Sequence, residues 1–373
     1  MNIKFLMPVN RKKIAIITYP LSLIYGLIVT LRNKLFDYKI LKSTEFDIPV
    51  ISVGNITVGG TGKTPHIEYL IRLLKNEFII ATLSRGYKRK TRNFILAEKK
   101  SSVEDIGDES KQLKQKFPDI HVAVDRKRVN GIYKLLEKEK HLQAILLDDA
   151  YQHRYVSPGL SILLIDYNQP LFCDYLLPYG NLREKKHEIR RADIVIITKA
   201  PKNLKPIERK ILIKELKILP YQFMYFTTYN YKNPKPVFNN SSEKLDFQYI
   251  KQNNSSLLLV TGIAQSKPLI KFLNNYSNNI EEIKFPDHHN YNAEDLKKIK
   301  SRFDNIKAKT KYIFTTEKDL VRIKELKIPD INLKSALYYI PVEVKFLYEG
   351  TKKFNKNITG YLKENEKINK LHK

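Results

Sequence analysis

Gly54-Asn55-Ile56-Thr57-Val58-Gly59-Gly60-Thr61-Gly62-Lys63-Thr64-Pro65 follows an apolar run, Ile48 to Val53, that reads as a buried strand. It precedes His66 to Leu74, where apolar residues recur at helical spacing. Strand, glycine-rich loop, Lys-Thr and helix are what a nucleotide triphosphate needs. Glycines turn backbone N–H groups onto the phosphates, and the helix start adds partial positive charge. Residues Thr57, Val58, Gly59, Gly60, Thr61, Gly62, Lys63 and Thr64 are therefore the expected nucleotide-binding set, with Lys63 on the outer phosphates and Thr64 on Mg²⁺. The usual pattern opens on glycine where this chain has Thr57, and Val58 lacks the second lysine of a variant form. A plain glycine-rich turn is the alternative, disfavoured by the intact Gly-Gly-x-Gly-Lys-Thr core.

Around this loop, 373 residues leave room for two domains, and 42% apolar residues supply a real core. The single cysteine, Cys173, excludes intramolecular disulfides and thiolate zinc clusters. The net charge of +28 favours anionic partners, but the lysines are scattered and no nucleic-acid-binding signature accompanies them. A biased genome composition explains the lysines as well, no nucleic-acid partner is expected, and an anionic membrane surface or lipid is the other partner such charge could favour. Ahead of the loop, Ile14 to Leu31 holds eighteen residues without a charge, flanked by Arg11-Lys12-Lys13 and Arg32-Asn33-Lys34. With Pro20 and Gly26 inside it, this run predicts a helix lying in or dipping into a membrane leaflet; a buried core helix is the alternative.

Beyond the loop, apolar runs at 78–83, 120–124, 144–148, 161–166 and 192–198 alternate with helical stretches. They predict an α/β fold: a P-loop NTPase-like, doubly covered, mostly parallel sheet. A second strand-helix rhythm after residue 256 predicts a smaller α/β domain. The expected segments are an N-terminal membrane-associated helix at 1–35, the P-loop domain at 36–220, a linker or hairpin at 221–255, and the smaller domain at 256–373. Asn239-Asn240-Ser241-Ser242 is a polar break within the linker, and the lysine- and asparagine-rich tail after Gly350 carries little signal.

Several strands end in polar groups, where α/β sheets bind ligands. Ser84-Arg85-Gly86-Tyr87 ends one. Asp148-Asp149 ends another, as in nucleotide enzymes that bring a carboxylate near Mg²⁺, and Gln152 and His153 follow as possible lining. Asp108 opens a helix, where a carboxylate is ordinarily a dipole partner. Of the adjacent His288 and His289, one reads as a polar or general-base partner and helix capping is the alternative.

Taken together, these stretches resemble the tetraacyldisaccharide 4′-kinase family of lipid A biosynthesis. The resemblance rests on Gly54–Pro65, Leu83-Ser-Arg-Gly-Tyr87, Gly107-Asp-Glu109, Asp148-Asp-Ala-Tyr-Gln-His153, Leu182-Arg-Glu184, Asp287-His288 and Thr316-Glu-Lys-Asp319. It implies a monomeric, ATP- and Mg²⁺-dependent kinase at the cytoplasmic face of the bacterial inner membrane. Its substrate would be an acylated glucosamine disaccharide phosphate lipid. The resemblance further implies that Asp108 and His288 act on the sugar hydroxyl, with Lys63 on the phosphates. Thr64, Asp148, Asp149 and Glu184 become metal candidates, and Arg85, Gln152 and His153 substrate candidates. Departures at Lys88, Ala150, Tyr179, Asn181 and Lys185 bear on the sugar pocket. The alternatives are a soluble P-loop kinase or ATPase with a small polar substrate, which the uncharged run opposes, and a nucleotide-switched binding protein.

Overall fold

The structure is a computed structural model that describes residues 15–238 and 245–371. The basic flank Arg11-Lys12-Lys13, Ile14 and the Asn239–Ser242 break lie outside the described residues. In chain order the strands are β1 Val50–Gly54, β2 Ile80–Ser84, β3 Ile95–Leu96, β4 His121–Val124, β5 Ala144–Asp148, β6 Leu160–Asp166 and β7 Ile194–Thr198. There follow β8 Phe223–Tyr231, β9 Lys235–Pro236, β10 Ser256–Thr261, β11 Ile280–Lys284, β12 Lys311–Thr316, β13 Leu337–Ile340 and β14 Val342–Phe346. Nine strands form the larger sheet in the order β14-β8-β7-β6-β1-β5-β2-β4-β3. From β8 to β4 neighbours run parallel, and the edge strands β14 and β3 are antiparallel. A second sheet, β11-β10-β12-β13-β9, is parallel except for β9.

Both faces of β1 are buried, which is why its sequence is a continuous apolar run. The helix Lys63–Leu74 buries Ile67, Leu70, Ile71 and Leu74 in one core with Ile51 and Val53. The chain crosses from β5 to β6 over β1, so the phosphate loop opens into a crevice at the carboxyl ends of the strands.

Residues 221–255, expected as linker or hairpin, supply β8 of the larger sheet, paired with β7 from Ile194↔Phe223 to Ile197↔Phe226. Beyond Phe226 this strand reads Thr-Thr-Tyr-Asn-Tyr and is only partly buried, so it lacks the continuous apolar run that marks its neighbours. The chain leaves the larger sheet at Tyr231, builds the second sheet, and returns at Val342, the residue paired with Tyr231. The tail after Gly350 also departs from expectation. It is the helix Gly350–Leu371, and Phe354, Ile358 and Leu362 form a buried stripe on the larger sheet. Abundant Lys and Asn obscured that spacing.

The N-terminal helix, Ala15–Asp37, turns its polar residues inward. Ser22 Oγ donates to Leu176 O (2.8 Å), Tyr25 Oη to Arg183 O (2.9 Å) and Asn33 Nδ2 to Glu184 Oε1 (3.2 Å). Its outer face is bare hydrocarbon, with Ile16 85% and Leu27 71% exposed. The helix is long and apolar enough to cross a membrane, and its outward apolar face excludes the buried-core alternative.

Phe354 stacks on Phe346 at 4.4 Å between ring centroids and is 2% exposed. Phe354→Ala is expected to cost about 3–5 kcal/mol, seen as a lower urea midpoint; an unchanged midpoint would mean that the C-terminal helix does not hold the larger sheet.

Candidate active site

Thr57 does not need to be glycine. It pairs with Leu182, Val58 N donates to Asn181 O (2.8 Å), and Arg183 N donates to Ile56 O (2.8 Å). The first half of the loop is thus an extended ribbon, suited to β-branched residues. Left-handed backbone begins at Gly59 (φ 105°) and recurs at Gly62 (φ 91°). A Cβ at Gly62 would also meet Tyr229 Oη at 2.7 Å, whereas nothing lies within 4 Å of one at Gly59 or Gly60. The loop is backed from beneath and open in front.

Its carbonyls are tied outward. Thr198 Oγ1 donates to Thr61 O (2.8 Å), and Lys199 Nζ to Gly60 O (2.5 Å) and Asp166 Oδ2 (2.6 Å). His66 Nδ1 meets Gly62 O at 2.7 Å and its Nε2 meets Thr227 Oγ1 at 3.1 Å. Burial pushes the His66 imidazole down to about 4, so it is neutral at physiological pH.

The register Val53↔Asp148 sets Asp148 beside the root of the loop. Its carboxylate is buried, and neither oxygen has a hydrogen-bond partner among the described residues. Burial, with the nearby charges of Glu109 and Asp149, pushes it up to about 8. Asp149 differs: burial raises it, but Lys63 and Arg183 outweigh that and hold it below the ordinary value. Lys63 Nζ lies 3.4 Å from Asp149 Oδ1, and Arg183 Nη1 lies 3.5 Å from it. An orphaned buried carboxylate near the P-loop lysine fits a divalent cation, since Mg²⁺ takes one or two carboxylates and completes its shell with phosphates and water. Glu184 does not fit that role. Its oxygens are held by Asn33 and by Arg191 Nη2 (2.5 Å), so it is a buried tie between the N-terminal helix and the 183–191 segment.

Asp108 starts the helix Asp108–Lys116 behind Gly107 (φ 82°), where a Cβ would lie 2.8 Å from Tyr87 O. His288 Nδ1 lies 2.7 Å from Asp108 Oδ2. Lys318 Nζ donates to His288 Nε2 (3.0 Å) and to Asp287 Oδ1 (2.7 Å). An ammonium can only donate, so Nε2 accepts and Nδ1 carries the proton given to Asp108. Burial alone would raise Asp108, but hydrogen bonds from His288 and Arg322 hold it below the usual carboxylate range. His289 instead bonds Asp295 at 2.8 Å, within the capping box of the helix Ala293–Asn305, and stacks on Phe285. The two histidines thus divide the two alternatives left open by their sequence.

Arg85 is exposed at the end of β2. Gln152 Nε2 donates to Asn55 O (2.7 Å), and its carbonyl accepts from Arg32 Nη2 (2.7 Å). Burial, with Arg128, Arg32 and Arg85 nearby, pushes His153 down to about 4. The three arginines thus set a positive field around a neutral His153. Sequence reasoning gave no role to Arg322, Lys199, Arg183 or Arg128. Arg183 lies within the Leu182-Arg-Glu184 stretch, and Lys199 and Arg128 follow the apolar runs at 192–198 and 120–124, positions of the kind used to find the others. An apolar-lined cavity of about 860 Å³ also lies between the N-terminal helix (Tyr19, Leu23, Leu27) and Leu171, Phe172 and Leu176.

Comparison with known proteins finds relatives over nearly the whole chain. The family described as Tetraacyldisaccharide-1-P 4′-kinase matches residues 14–363. The chain is 49% identical to the tetraacyldisaccharide 4′-kinase of Phocaeicola vulgatus, over 94% of this chain and 95% of that protein. It is 47% identical to that of Bacteroides thetaiotaomicron, over 93% of each. The crystal structure of LpxK from Aquifex aeolicus in complex with ATP superposes with a TM-score of 0.70 at 29% identity, covering 94% of this chain and 98% of that one.

Asp148→Asn removes a buried carboxylate that has no hydrogen-bond partner among the described residues. The nucleotide-free variant is expected to melt on the order of 1–3 °C higher by calorimetry; a lower Tm would mean that the carboxylate has a stabilising partner.

Proposed function

The chain belongs to the tetraacyldisaccharide-1-P 4′-kinase family, and from that membership we propose how its own residues carry the transfer. The enzyme is an ATP-dependent kinase that phosphorylates the 4′-hydroxyl of tetraacyldisaccharide 1-phosphate in lipid A biosynthesis, giving lipid IVA. Gly59 and Gly60 present open loop amides to the triphosphate, and Lys63 reaches its outer phosphates. Asp149 holds Lys63 in place, at 3.4 Å. Thr64 and Asp148 would hold Mg²⁺, whose bound charge offsets that of the phosphates.

Asp108 accepts the hydrogen of the 4′-hydroxyl and aims its oxygen, while His288 fixes the carboxylate by donating from Nδ1. A loose transition state asks for alignment and charge neutralisation more than for a strong base, which suits a carboxyl held below its ordinary pKa. Closure of the smaller domain over the crevice brings His288 to Asp108 and excludes water from the transfer. Arg85, Arg128 and Arg32, with Gln152 and His153, receive the anionic end of the substrate. The outer face of the N-terminal helix sits in the cytoplasmic leaflet of the inner membrane, and the neighbouring apolar cavity takes part of an acyl chain. A monomer suffices for these roles.

The observation that carries this proposal is the 2.7 Å contact between Asp108 and His288, 180 residues apart, with Glu109 next in the chain close enough to act on Asp148. The test uses purified protein, Mg·ATP and the disaccharide 1-phosphate in detergent micelles, with the position of the new phosphate identified. Lys63→Ala or Asp108→Ala is expected to lower the transfer rate by about 10²–10⁴-fold; a native rate in either variant would overturn the assignment.

Ile24 and Ile28, 56% and 61% exposed, face outward. Replacing both with Ser is expected to abolish sedimentation with anionic vesicles while leaving the affinity for ATP unchanged. Full vesicle binding by that variant would remove the membrane role of this face.

A further inference from the structure

The short helix Glu317–Ile323 of the smaller domain lies against the helix Asp108–Lys116, and its polar side chains all point toward the Asp108–His288 pair or its supports. Glu317 Oε1 accepts from Lys116 Nζ (2.7 Å) at the far end of the Asp108 helix. Lys318 bonds His288. Asp319 Oδ2 accepts from Gly262 N (3.0 Å), whose carbonyl in turn accepts from His288 N (3.2 Å). Arg322 goes to Asp108 itself, donating from Nε to Oδ1 (2.7 Å) and from Nη2 to Oδ2 (2.8 Å).

A carboxylate offers about four lone-pair sites. Both of those on Oδ2 are used, by His288 Nδ1 and Arg322 Nη2, and one on Oδ1 is used by Arg322 Nε. We propose that Arg322 is a positioning residue for phosphoryl transfer: its two-point grip fixes the plane of the Asp108 carboxylate and leaves a single lone pair, on Oδ1, for the acceptor hydroxyl. The inference rests on Asp108 being the group that meets that hydroxyl, as proposed above. A planar fork can set the orientation of a carboxylate in this way, whereas a lysine supplies only a point charge. An ion pair serving only to join the domains would not require the same helix to hold the ring of His288 and, through Gly262, its backbone.

The charged and titratable groups facing Asp108 are His288 and Arg322. Lys318, Asp287 and the Tyr87 ring lie around His288, and Glu109 stands next in the chain. Arg322 favours the ionised carboxylate, so activity falls with acid only as pH drops through its depressed pKa. Without Arg322, burial pushes that pKa up and the acid limb moves to higher pH.

The test measures transfer to the lipid disaccharide in micelles, as kcat and as KM for ATP across pH, for wild type, Arg322→Gln, Arg322→Lys and Asp108→Asn. Arg322→Gln is expected to lower kcat by about 10²-fold, with KM for ATP within about two-fold and the acid limb displaced upward. Arg322→Lys, which keeps the charge and fills the space, is expected to have an intermediate kcat with the limb unmoved. A native kcat in either Arg322 variant, or a reduced kcat in Arg322→Gln with an unmoved limb, overturns the positioning role. Should Arg322→Gln not fold, Arg322→Lys decides by kcat alone, intermediate supporting and native overturning. A native rate in Asp108→Asn instead overturns the assignment of Asp108, a result distinct from failure at Arg322.

Discussion

A loop that grips phosphates with its amides must turn its carbonyls the other way, and those carbonyls must then be satisfied inside the protein. Here the carbonyls of Gly60, Thr61 and Gly62 are met by Lys199, Thr198 and His66. Lys199 and Thr198 lie at the end of β7, separated from β1 by β6. The loop therefore depends on sheet order as well as on its own glycines. Tyr229 closes the remaining side beneath Gly62. Since Tyr229 belongs to β8, the strand from which the chain departs to build the smaller domain, the phosphate loop and the domain crossing share one support.

That crossing has a consequence for the chemistry. The smaller domain is tethered by two strands, β8 and β14, at the edge of the larger sheet, yet its helix Glu317–Ile323 reaches the Asp108 helix and is pinned at both ends. Lys116 sits between Glu317 and Glu68, the latter on the P-loop helix, so a single ammonium joins the phosphate side, the Asp108 helix and the smaller domain. Buried charge of this kind adds little net stability, because desolvation consumes the Coulombic gain. What it supplies is a defined arrangement: Glu317 also accepts from the backbone N–H of Val342, the first residue of β14, so the docked position of the domain and the return of the chain are set together.

Much of this was legible in the sequence, and the failures share causes. The parallel strands that carry the loop and Asp148 are buried on both faces and show as uninterrupted apolar runs. β8, exposed on part of its surface and rich in Tyr, Thr and Asn, does not. The C-terminal helix was hidden by composition, although its apolar residues recur at one-turn intervals. Among site residues, those at strand ends and helix starts could be found because position implies exposure to the crevice. Arg322 could not, since it lies inside a helix where a cation is ordinarily solvated, and only tertiary packing turns it onto Asp108. Glu184 failed for a different reason: the resemblance made it a metal candidate, while burial with Arg191 makes it structural.

The N-terminal helix completes the physical picture by inverting the usual arrangement of a surface helix. Its protein-facing side is Ser22, Tyr25, Gly26, Asn33 and Phe36, and its outer side is mostly Ile and Leu. Packing onto the protein therefore combines hydrogen bonds and close approach with the Phe36–Tyr155 ring contact, and the apolar face is left outward. The partners of those hydrogen bonds are site loops. Tyr25 bonds the carbonyl of Arg183, whose guanidinium meets Asp149, which meets Lys63. Arg32 bonds the carbonyl of Gln152, which holds Asn55 at the root of the phosphate loop. In the proposed arrangement, the helix whose outer face enters the bilayer is thus joined by a chain of contacts to the lysine of the phosphate loop. An insoluble acceptor would then be presented to the crevice from the membrane side, and a helix hydrogen-bonded to the walls of that crevice would set its height without a separate binding domain.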